Sequence, residues 1–232
     1  MNEVLRQEKK YAIDLAEGAA LRSRLGRVMQ ADAHNGLLGY PIRSLYFDTL
    51  NDQDFFDKIE GIELRRKIRL RIYSPQADTA KLEMKQKQGQ YQKKRSLTIR
   101  RADAIAMSQG DYRPLLQYKD PFAAECYALM HARCYRPRTI VEYLRQAYIA
   151  KENQIRLTLD SQIRATESSF DLFAENLPLT SVMDPFSMVL EVKFNGFLLS
   201  YLKDLLNEVH RPELSVSKYV MARRFTMGFQ PV

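Results

Sequence analysis

Charged and apolar residues alternate along the segment from Glu63 to Tyr73, which is the pattern of a strand with two unlike faces. Side chains of a strand point to its two faces in turn, so every second residue shares a face. One face of this segment is aliphatic, and Arg66 is its single charged member. The other face carries Glu63, Arg65, Lys67, Arg69, Arg71 and Tyr73. Because neighbouring cations repel one another, this face requires either open solvent or a strongly anionic partner.

The same alternation recurs along the chain and predicts eight strands. They cover residues 6–13, 42–48, 62–73, 80–87, 91–100, 138–149, 154–164 and 187–195. The sequence Gln88-Gly89-Gln90 predicts a hairpin turn between the fourth and the fifth strand. Helices are expected at residues 16–29, 121–134, 197–209 and 215–225, and most of residues 102–136 is expected to be helical.

The polar faces of these strands can be arranged in two ways. An amphipathic strand ordinarily buries its apolar face and leaves the polar face in solvent. A sheet that closes into a barrel instead gathers one face of every strand around a common axis. The second arrangement is favoured, because a solvated surface would mix more Glu, Asp, Asn and Ser among the cations. We therefore predict an α+β fold, an antiparallel β-barrel tunnel of about eight strands with a polar, cationic lumen and flanking helices.

Length and charge narrow the class of protein. A chain of 232 residues with 45% hydrophobic content can form one domain, which we predict to span residues 1–232. A net charge of +8 favours an anionic partner such as a phosphorylated metabolite, nucleic acid or an acidic membrane. The apolar runs are too short for a bilayer, and residues 1–10 are too polar for a signal peptide, so the cytoplasm is expected.

The usual signatures of nucleophilic and metal chemistry are absent from the sequence. The two cysteines and three histidines show no metal-ligand spacing. Neither a Ser/His/Asp arrangement nor a Walker-type phosphate loop is visible. Phosphoryl transfer needs neither, because it asks a protein mainly to position phosphates and to stabilise their charge.

An ordered series of short motifs resembles the VTC domain, the polyphosphate polymerase domain of the vacuolar transporter chaperone complex, within the triphosphate tunnel metalloenzymes. The resemblance extends from Glu8 to Tyr219, and its strength lies in the order of the motifs. They are Glu8-x-Lys10-Tyr11, Tyr46-Phe47-Asp48-Thr49, Arg69-x-Arg71-x-Tyr73, Glu83-x-Lys85, Lys94, Tyr143-x-Arg145, Arg156 with Asp160, Glu191-x-Lys193 and Ser217-Lys218-Tyr219.

The resemblance implies a function and a site. It implies a polymerase that transfers the terminal phosphate of ATP to inorganic polyphosphate with Mn²⁺ or Mg²⁺. The catalytic residues that it implies are Arg69, Arg71, Lys85, Arg145 and Arg156. The phosphate-binding residues would be Lys10, Lys94, Tyr143, Lys193, Ser217 and Lys218. Glu191 would hold the metal with Glu83 and Glu8 as further candidates, and for these two plain ion pairing with neighbouring cations is an open alternative.

The expected partners follow from the same resemblance. They are ATP and inorganic polyphosphate or pyrophosphate, with no nucleic acid and with a possible membrane-protein partner. Related triphosphatases and class IV adenylate cyclases carry an ExExK signature, and Arg6 stands at its first Glu position, which favours the VTC branch. Ser215 stands where the eukaryotic polymerase has a further phosphate-binding lysine. A triphosphate or polyphosphate hydrolase, and a non-catalytic module that binds nucleotide or polyphosphate, remain alternatives.

Overall fold

The computed structural model describes residues 6–89, 91–207, 212–213, 215 and 217–228, except the side chain of Arg6. Its strands in chain order are β1 (Arg6–Asp14), β2 (Gln30–Ala31), β3 (Tyr40–Asp48), β4 (Leu64–Ile72), β5 (Thr79–Gln88), β6 (Tyr91–Arg100), β7 (Arg136–Ala150), β8 (Ile155–Thr166), β9 (Thr180–Ser181) and β10 (Ser187–Asn195). Its α-helices are α1 (Leu15–Val28), α2 (Gln53–Ile59), α3 (Arg101–Ser108), α4 (Pro121–Ala132), α5 (Ser200–Asn207) and α6 (Lys218–Thr226).

The chain forms two compact units, each made of separate segments. The first unit comprises Met1–Pro41, Tyr143–Ile163 and Met183–Ser217, and the second comprises Ile42–Glu142, Arg164–Val182 and Lys218–Val232. Strands β3, β7 and β8 therefore contribute residues to both units.

In the first unit the strand order is β1-β10-β8-β7, with β2 beside β7. Strand β10 pairs antiparallel with β1 on one side and with β8 on the other. Helix α1 begins at a capping box, in which Asp14 accepts from the Glu17 amide and Glu17 accepts from the Asp14 amide. The helix buries Leu21 and Leu25 in a core with the apolar residues of β1, β8, β10 and α5. Burial of each such leucine contributes roughly 1.5–3 kcal/mol.

In the second unit the strand order is β3-β4-β5-β6, and all three neighbouring pairs of these strands are antiparallel. The aliphatic face of β4, which includes Ile68 and Leu70, belongs to a core with residues of α3, α4 and the 3-10 turn at Arg113–Gln117. Helix α4 begins at Pro121, where the preceding Asp120 accepts from the Phe122 amide at 2.8 Å. Helices thus cover the apolar face, and the cationic face lies on the opposite side of the strands.

The predicted fold class, an α+β chain of antiparallel strands with flanking helices, is confirmed. All eight predicted strands are present, with ends within two residues of those expected. In each unit their pairings form an open path and not a ring. Gly89 adopts a φ of 56° at the predicted hairpin turn, and Gln90 lies outside the described residues.

The helix predictions were less accurate at their ends. The helix expected at 197–209 is α5 at Ser200–Asn207, and residues 208 and 209 lie outside the described part of the chain. The last helix begins at Lys218 and not at residue 215. The two-residue strands β2 and β9 and helix α2 were not predicted. Among the described residues, no helix has both the length and the apolar character that crossing a bilayer requires.

Candidate functional site

The polar face of the second unit gathers three cations around one buried carboxylate. Glu83 on β5 is 3% exposed, and its Oε2 lies 2.7 Å from Arg69 Nε and 3.6 Å from Arg71 Nη2. Lys94 on β6 contacts the other carboxylate oxygen. We call Glu83, Arg69, Arg71 and Lys94 the Glu83 cluster.

Strand register explains why these residues meet. Arg69 on β4 lies directly opposite Glu83 on β5, and Lys94 on β6 lies opposite Lys85 of the same strand. Side chains at opposed and diagonal positions of one face are close enough for long charged groups to pair. Lys85 stands between Lys94 and Lys67, so a row of three lysines crosses the sheet, and Lys94 at one end of the row belongs to the cluster.

The charges of the cluster shift the pKa values of its members. Burial alone would raise the pKa of Glu83, but Arg69, Arg71 and Lys94 outweigh it and lower the pKa to about 2. Burial lowers the pKa of Lys94, and its hydrogen bond with Glu83 opposes that shift. Glu83 is therefore ionised at neutral pH and fixes the cations around it.

Tyr46, a member of the family motifs for which no role was predicted, adjoins the cluster. The Tyr46 hydroxyl accepts a hydrogen bond from Arg69 Nη1 at 2.9 Å. Burial would raise the pKa of Tyr46, but the charges of Arg69 and Arg71 lower it overall. Residue 46 lies opposite Arg69 in the register of β3 and β4, and this position on the polar face is the signal that could have identified it.

The polar face of the first unit carries a second group of charges, which we call the Glu191 cluster: Glu8, Lys10, Arg145, Asp160, Glu191 and Lys193. Lys10 pairs with Glu8 at 2.8 Å, and Lys193 contacts Glu191. Arg145 donates to both oxygens of the buried Asp160, at 2.6 and 2.7 Å, and lies 3.8 Å from Glu191. Asp160, a member of the family motifs for which no role was predicted, is the fixed partner of Arg145.

Opposite charges also shift the basic groups of the Glu191 cluster. Burial would lower the pKa of Lys10, but Glu191 and Glu8 raise it overall. Burial likewise opposes the charge of Arg145, and Asp160 is the main group that raises its pKa. Both side chains are therefore cationic at any pH where the protein would work.

The remaining predicted site residues have different surroundings. Arg156 lies opposite Lys193 in the register, and its Nη2 is 3.2 Å from the Tyr40 hydroxyl and 3.4 Å from Asp32. The Arg145 guanidinium lies over the buried Tyr143 ring, 5.4 Å from the ring centroid. Ser217 precedes α6, and Lys218 begins it. Burial would raise the pKa of Tyr46, and the charges of Arg69, of Arg71 and, to a lesser extent, of Lys218 lower it.

Glu191 and Glu8 fit a divalent cation better than Glu83 does. Lys193 Nζ lies 4.0 Å from Glu8 Oε2 and also contacts Glu191, so two carboxylates converge on one positive charge. Mg²⁺ is often held by one or two protein carboxylates together with substrate phosphates. Among the described residues, no group of three Asp, Glu, His or Cys side chains could hold a metal without such help. The Glu83 cluster, by contrast, places one carboxylate among three cations.

The two clusters suit the recognition of phosphate oxygens. Guanidinium groups donate in a fixed fork that matches phosphate geometry, and lysines add compact positive charge. Glu83 and Asp160 hold Arg69 and Arg145 in place, so these donors are oriented before a ligand arrives.

Solved structures that resemble the chain are distant in sequence. One is a "putative adenylate cyclase" of Bacillus halodurans, with 13% identity, a TM-score of 0.48, and coverage of 98% of this chain and 94% of that one. Another "putative adenylate cyclase", from Vibrio parahaemolyticus, has 11% identity, a TM-score of 0.48 and coverage of 94% and 97%. A Pyrococcus horikoshii protein has 10% identity, a TM-score of 0.47 and coverage of 95% and 99%. At such scores the likeness says nothing about activity.

Sequence comparison gives a firmer result. No curated protein matches the chain in sequence. The family model described as the VTC domain, however, matches residues 5–227, which is nearly the entire chain. This chain therefore belongs to the VTC domain family.

Proposed function

We propose that this protein is a metal-dependent polyphosphate polymerase that uses ATP. Membership of the VTC domain family supports an enzyme of the triphosphate tunnel superfamily, and the polymerase activity is the more specific proposal. The observation that carries it is the Glu83 cluster, in which Arg69, Arg71 and Lys94 are held around one buried carboxylate. Such preorganised cations stabilise the charge that develops on a transferred phosphoryl group.

In the proposed reaction, a terminal oxygen of the growing polyphosphate attacks the γ-phosphorus of ATP. The bond between the γ-phosphorus and the bridging oxygen breaks, and ADP leaves with the electron pair. Arg69, Arg71, Lys85, Arg145 and Arg156 stabilise charge on the phosphoryl oxygens. Phosphates of the nucleotide and the chain are bound by Lys10, Lys94, Tyr143, Lys193, Ser217 and Lys218. None of these roles requires a protein nucleophile.

A divalent cation is part of this proposal. Mn²⁺ or Mg²⁺ would be held by Glu191 and Glu8, and when bound it neutralises charge on phosphate oxygens. We assign Glu83 to the alternative role of ion pairing, because its carboxylate already contacts three cationic side chains. ATP and polyphosphate are the proposed partners, and nucleic acid is not. A cytoplasmic location and a membrane-protein partner that accepts the product belong to the same proposal.

The test is an assay of product length. The purified chain is incubated with ATP and Mn²⁺, and the products are separated on a gel that resolves polyphosphate chains. We expect a ladder of long polyphosphate, which Arg71→Ala and Glu191→Gln abolish. Arg113→Ala serves as the matched control, because it also removes one arginine but from an exposed pair with Asp111. This control should retain the ladder.

Other products of the assay would indicate a different function. Release of orthophosphate alone, with no chain longer than the substrate, would reject the polymerase in favour of a hydrolase. Binding of ATP or polyphosphate without turnover would indicate a binding module. A folded Arg71→Ala protein with full activity would refute the assignment of the Glu83 cluster as the site of phosphoryl transfer.

A further inference from the structure

The first residue of α6 is the proposed phosphate ligand Lys218, and the next one, Tyr219, is almost fully buried. The Tyr219 hydroxyl donates a 2.5 Å hydrogen bond to Asp48 Oδ2. Asp48 has no exposed surface and also accepts from the backbone amides of Thr49, Asp54 and Phe55, at 2.7, 2.9 and 2.9 Å. Because three of its four hydrogen bonds come from backbone, Asp48 is a fixed point to which α6 is attached.

The Tyr219 ring makes a second connection, which leads to the Glu83 cluster. It stacks on the Tyr46 ring with a centroid separation of 5.2 Å and an interplanar angle of 28°. The Tyr46 hydroxyl in turn accepts from Arg69, which pairs with Glu83. Lys67 Nζ lies 6.0 Å from the Tyr46 centroid and 5.7 Å from that of Tyr219. A continuous series of contacts therefore runs from the start of α6 to the cluster.

A second anchor lies one helical turn further along α6. Arg223 is buried, donates to both oxygens of Glu167 at 2.8 and 2.7 Å, and donates to Asp52 at 2.6 Å. Residues four apart share one face of a helix, so Tyr219 and Arg223 fix the same side of α6. Rotation or sliding of the helix would break both sets of contacts, so the two anchors favour one direction for its first residue.

We propose that Tyr219 is a positioning residue, whose bond to Asp48 and stacking on Tyr46 set the place of Lys218 beside the Glu83 cluster for phosphate binding. Tyr219 does not itself contact phosphate in this account, since its hydroxyl is bonded to Asp48. The inference rests on the proposed function, in which Lys218 is a phosphate ligand. It adds that the affinity contributed by Lys218 depends on an interaction on the buried side of α6.

The test is a double-mutant cycle on the binding of inorganic tripolyphosphate, measured by calorimetry without ATP or metal. Tyr219→Phe keeps the stacked ring and removes one hydroxyl, so Asp48 retains its three amide donors. We expect it to weaken binding by about fivefold or more, because Lys218 is then no longer held in place for its contact with phosphate. In a Lys218→Ala background the same change should have no further effect. A role confined to stability would give independent effects that add.

A second variant keeps the test decisive if Tyr219→Phe does not fold. Arg223→Lys preserves the charge but loses the guanidinium that bridges Glu167 and Asp52, and it should show the same coupling with Lys218→Ala. Additive effects in either cycle, or unchanged affinity in a folded Tyr219→Phe protein, would overturn the inference. If Arg71→Ala abolishes binding while Lys218→Ala does not alter it, this inference fails and the proposed function stands. If the unmodified protein does not bind tripolyphosphate, both fail.

Discussion

Two buried carboxylates of the second unit differ in their charge at mildly acidic pH. Glu83 is surrounded by cations, which hold its pKa at about 2. Asp54 is buried beside Asp48, and burial and this second carboxylate raise its pKa to about 7. The same type of group is thus a permanent anion at one position and a neutral hydrogen-bonding group at the other at mildly acidic pH.

The substitution Glu83→Gln tests whether the charge of Glu83 stabilises the fold. It leaves Arg69, Arg71 and Lys94 without their common anion, and we expect a loss of roughly 3 kcal/mol in unfolding free energy at pH 7. Urea denaturation measures it. Because the pKa is lowered, the stabilisation by Glu83 is present above its unfolded value of 4.5 and is lost as the pH falls towards about 2. The difference between the two proteins should therefore shrink over that range.

The control is Glu125→Gln, which removes the partner of Arg95 at a half-exposed position. Surface pairs contribute about 0–1 kcal/mol, so a small effect is expected there. Equal effects of the two substitutions would show that Glu83 does not organise its cluster.

Asp54→Asn tests the second carboxylate. Folding raises the pKa of Asp54 from its ordinary value of 3.8 to about 7. Between these two pH values the folded protein therefore holds a proton on Asp54 that the unfolded chain has lost. Stability then falls as the pH rises from about 4 to about 7, by up to about 4 kcal/mol, and is level above that. The Asn variant should lack this dependence and keep the Tyr135 hydrogen bond, which measures 2.9 Å in the native protein. Urea midpoints from pH 4 to pH 8 measure both, and parallel curves would contradict the assignment.

Secondary structure elements were predictable where the chain has a repeating period. The period-two alternation located β4 and its neighbours because each strand buries one face under helices. Helix α2 was missed because its cap is remote: Asp52 at its start has a φ of 53° and makes no side-chain cap. The amides of Asp54 and Phe55 are instead bonded by Asp48, at the end of the preceding strand β3. No local signal marks such a helix.

The residues of the candidate site also fall into a group that the sequence predicts and a group that only the fold brings together. The cations of the polar faces follow from strand periodicity, so Arg69, Arg71 and Lys94 could be grouped from the sequence. The place of Tyr219 could not, because its partner Asp48 is 171 residues away and only the fold brings the two together. The pairing of Arg145 with Asp160 depends likewise on contact between two strands.

A pair of glycines offers a test at the level of elements. Gly39 precedes β3 with a φ of 99°, and a Cβ there would lie 2.4 Å from the Arg145 carbonyl oxygen. Gly39→Ala should cost roughly 3 kcal/mol, since both backbone strain and a clash with β7 oppose it. Gly26 lies within α1 with nothing within 4 Å of an added Cβ, so Gly26→Ala should stabilise by about 0.5–1 kcal/mol. Thermal denaturation measures the Tm of each variant, and Tm shifts of the same sign and size would contradict both predictions.

For the whole molecule, we propose that the two units unfold together as the single domain predicted from the sequence. The chain passes between the units after residues 41, 142, 163, 182 and 217. With so many crossings, neither unit is a continuous segment that could fold from its own stretch of chain. We expect one calorimetric transition whose calorimetric and van't Hoff enthalpies agree. Gly39→Ala should shift the entire transition, and a shift of part of the heat absorption would show independent units.

The long separation between Asp48 and Tyr219 also determines when the second unit can be completed in a cell. After Asp48 has been added to the nascent chain, another 171 residues must follow before its hydroxyl partner exists. At roughly 5–20 residues per second, translation takes about 10–30 s over this interval. During that time Asp48 can bond its backbone partners, but Tyr219 has not yet been synthesised. Glu167 is likewise synthesised before its partner Arg223. A ribosome-bound intermediate without α6 is therefore expected to expose the Tyr46 ring, and chaperones have that interval in which to bind it.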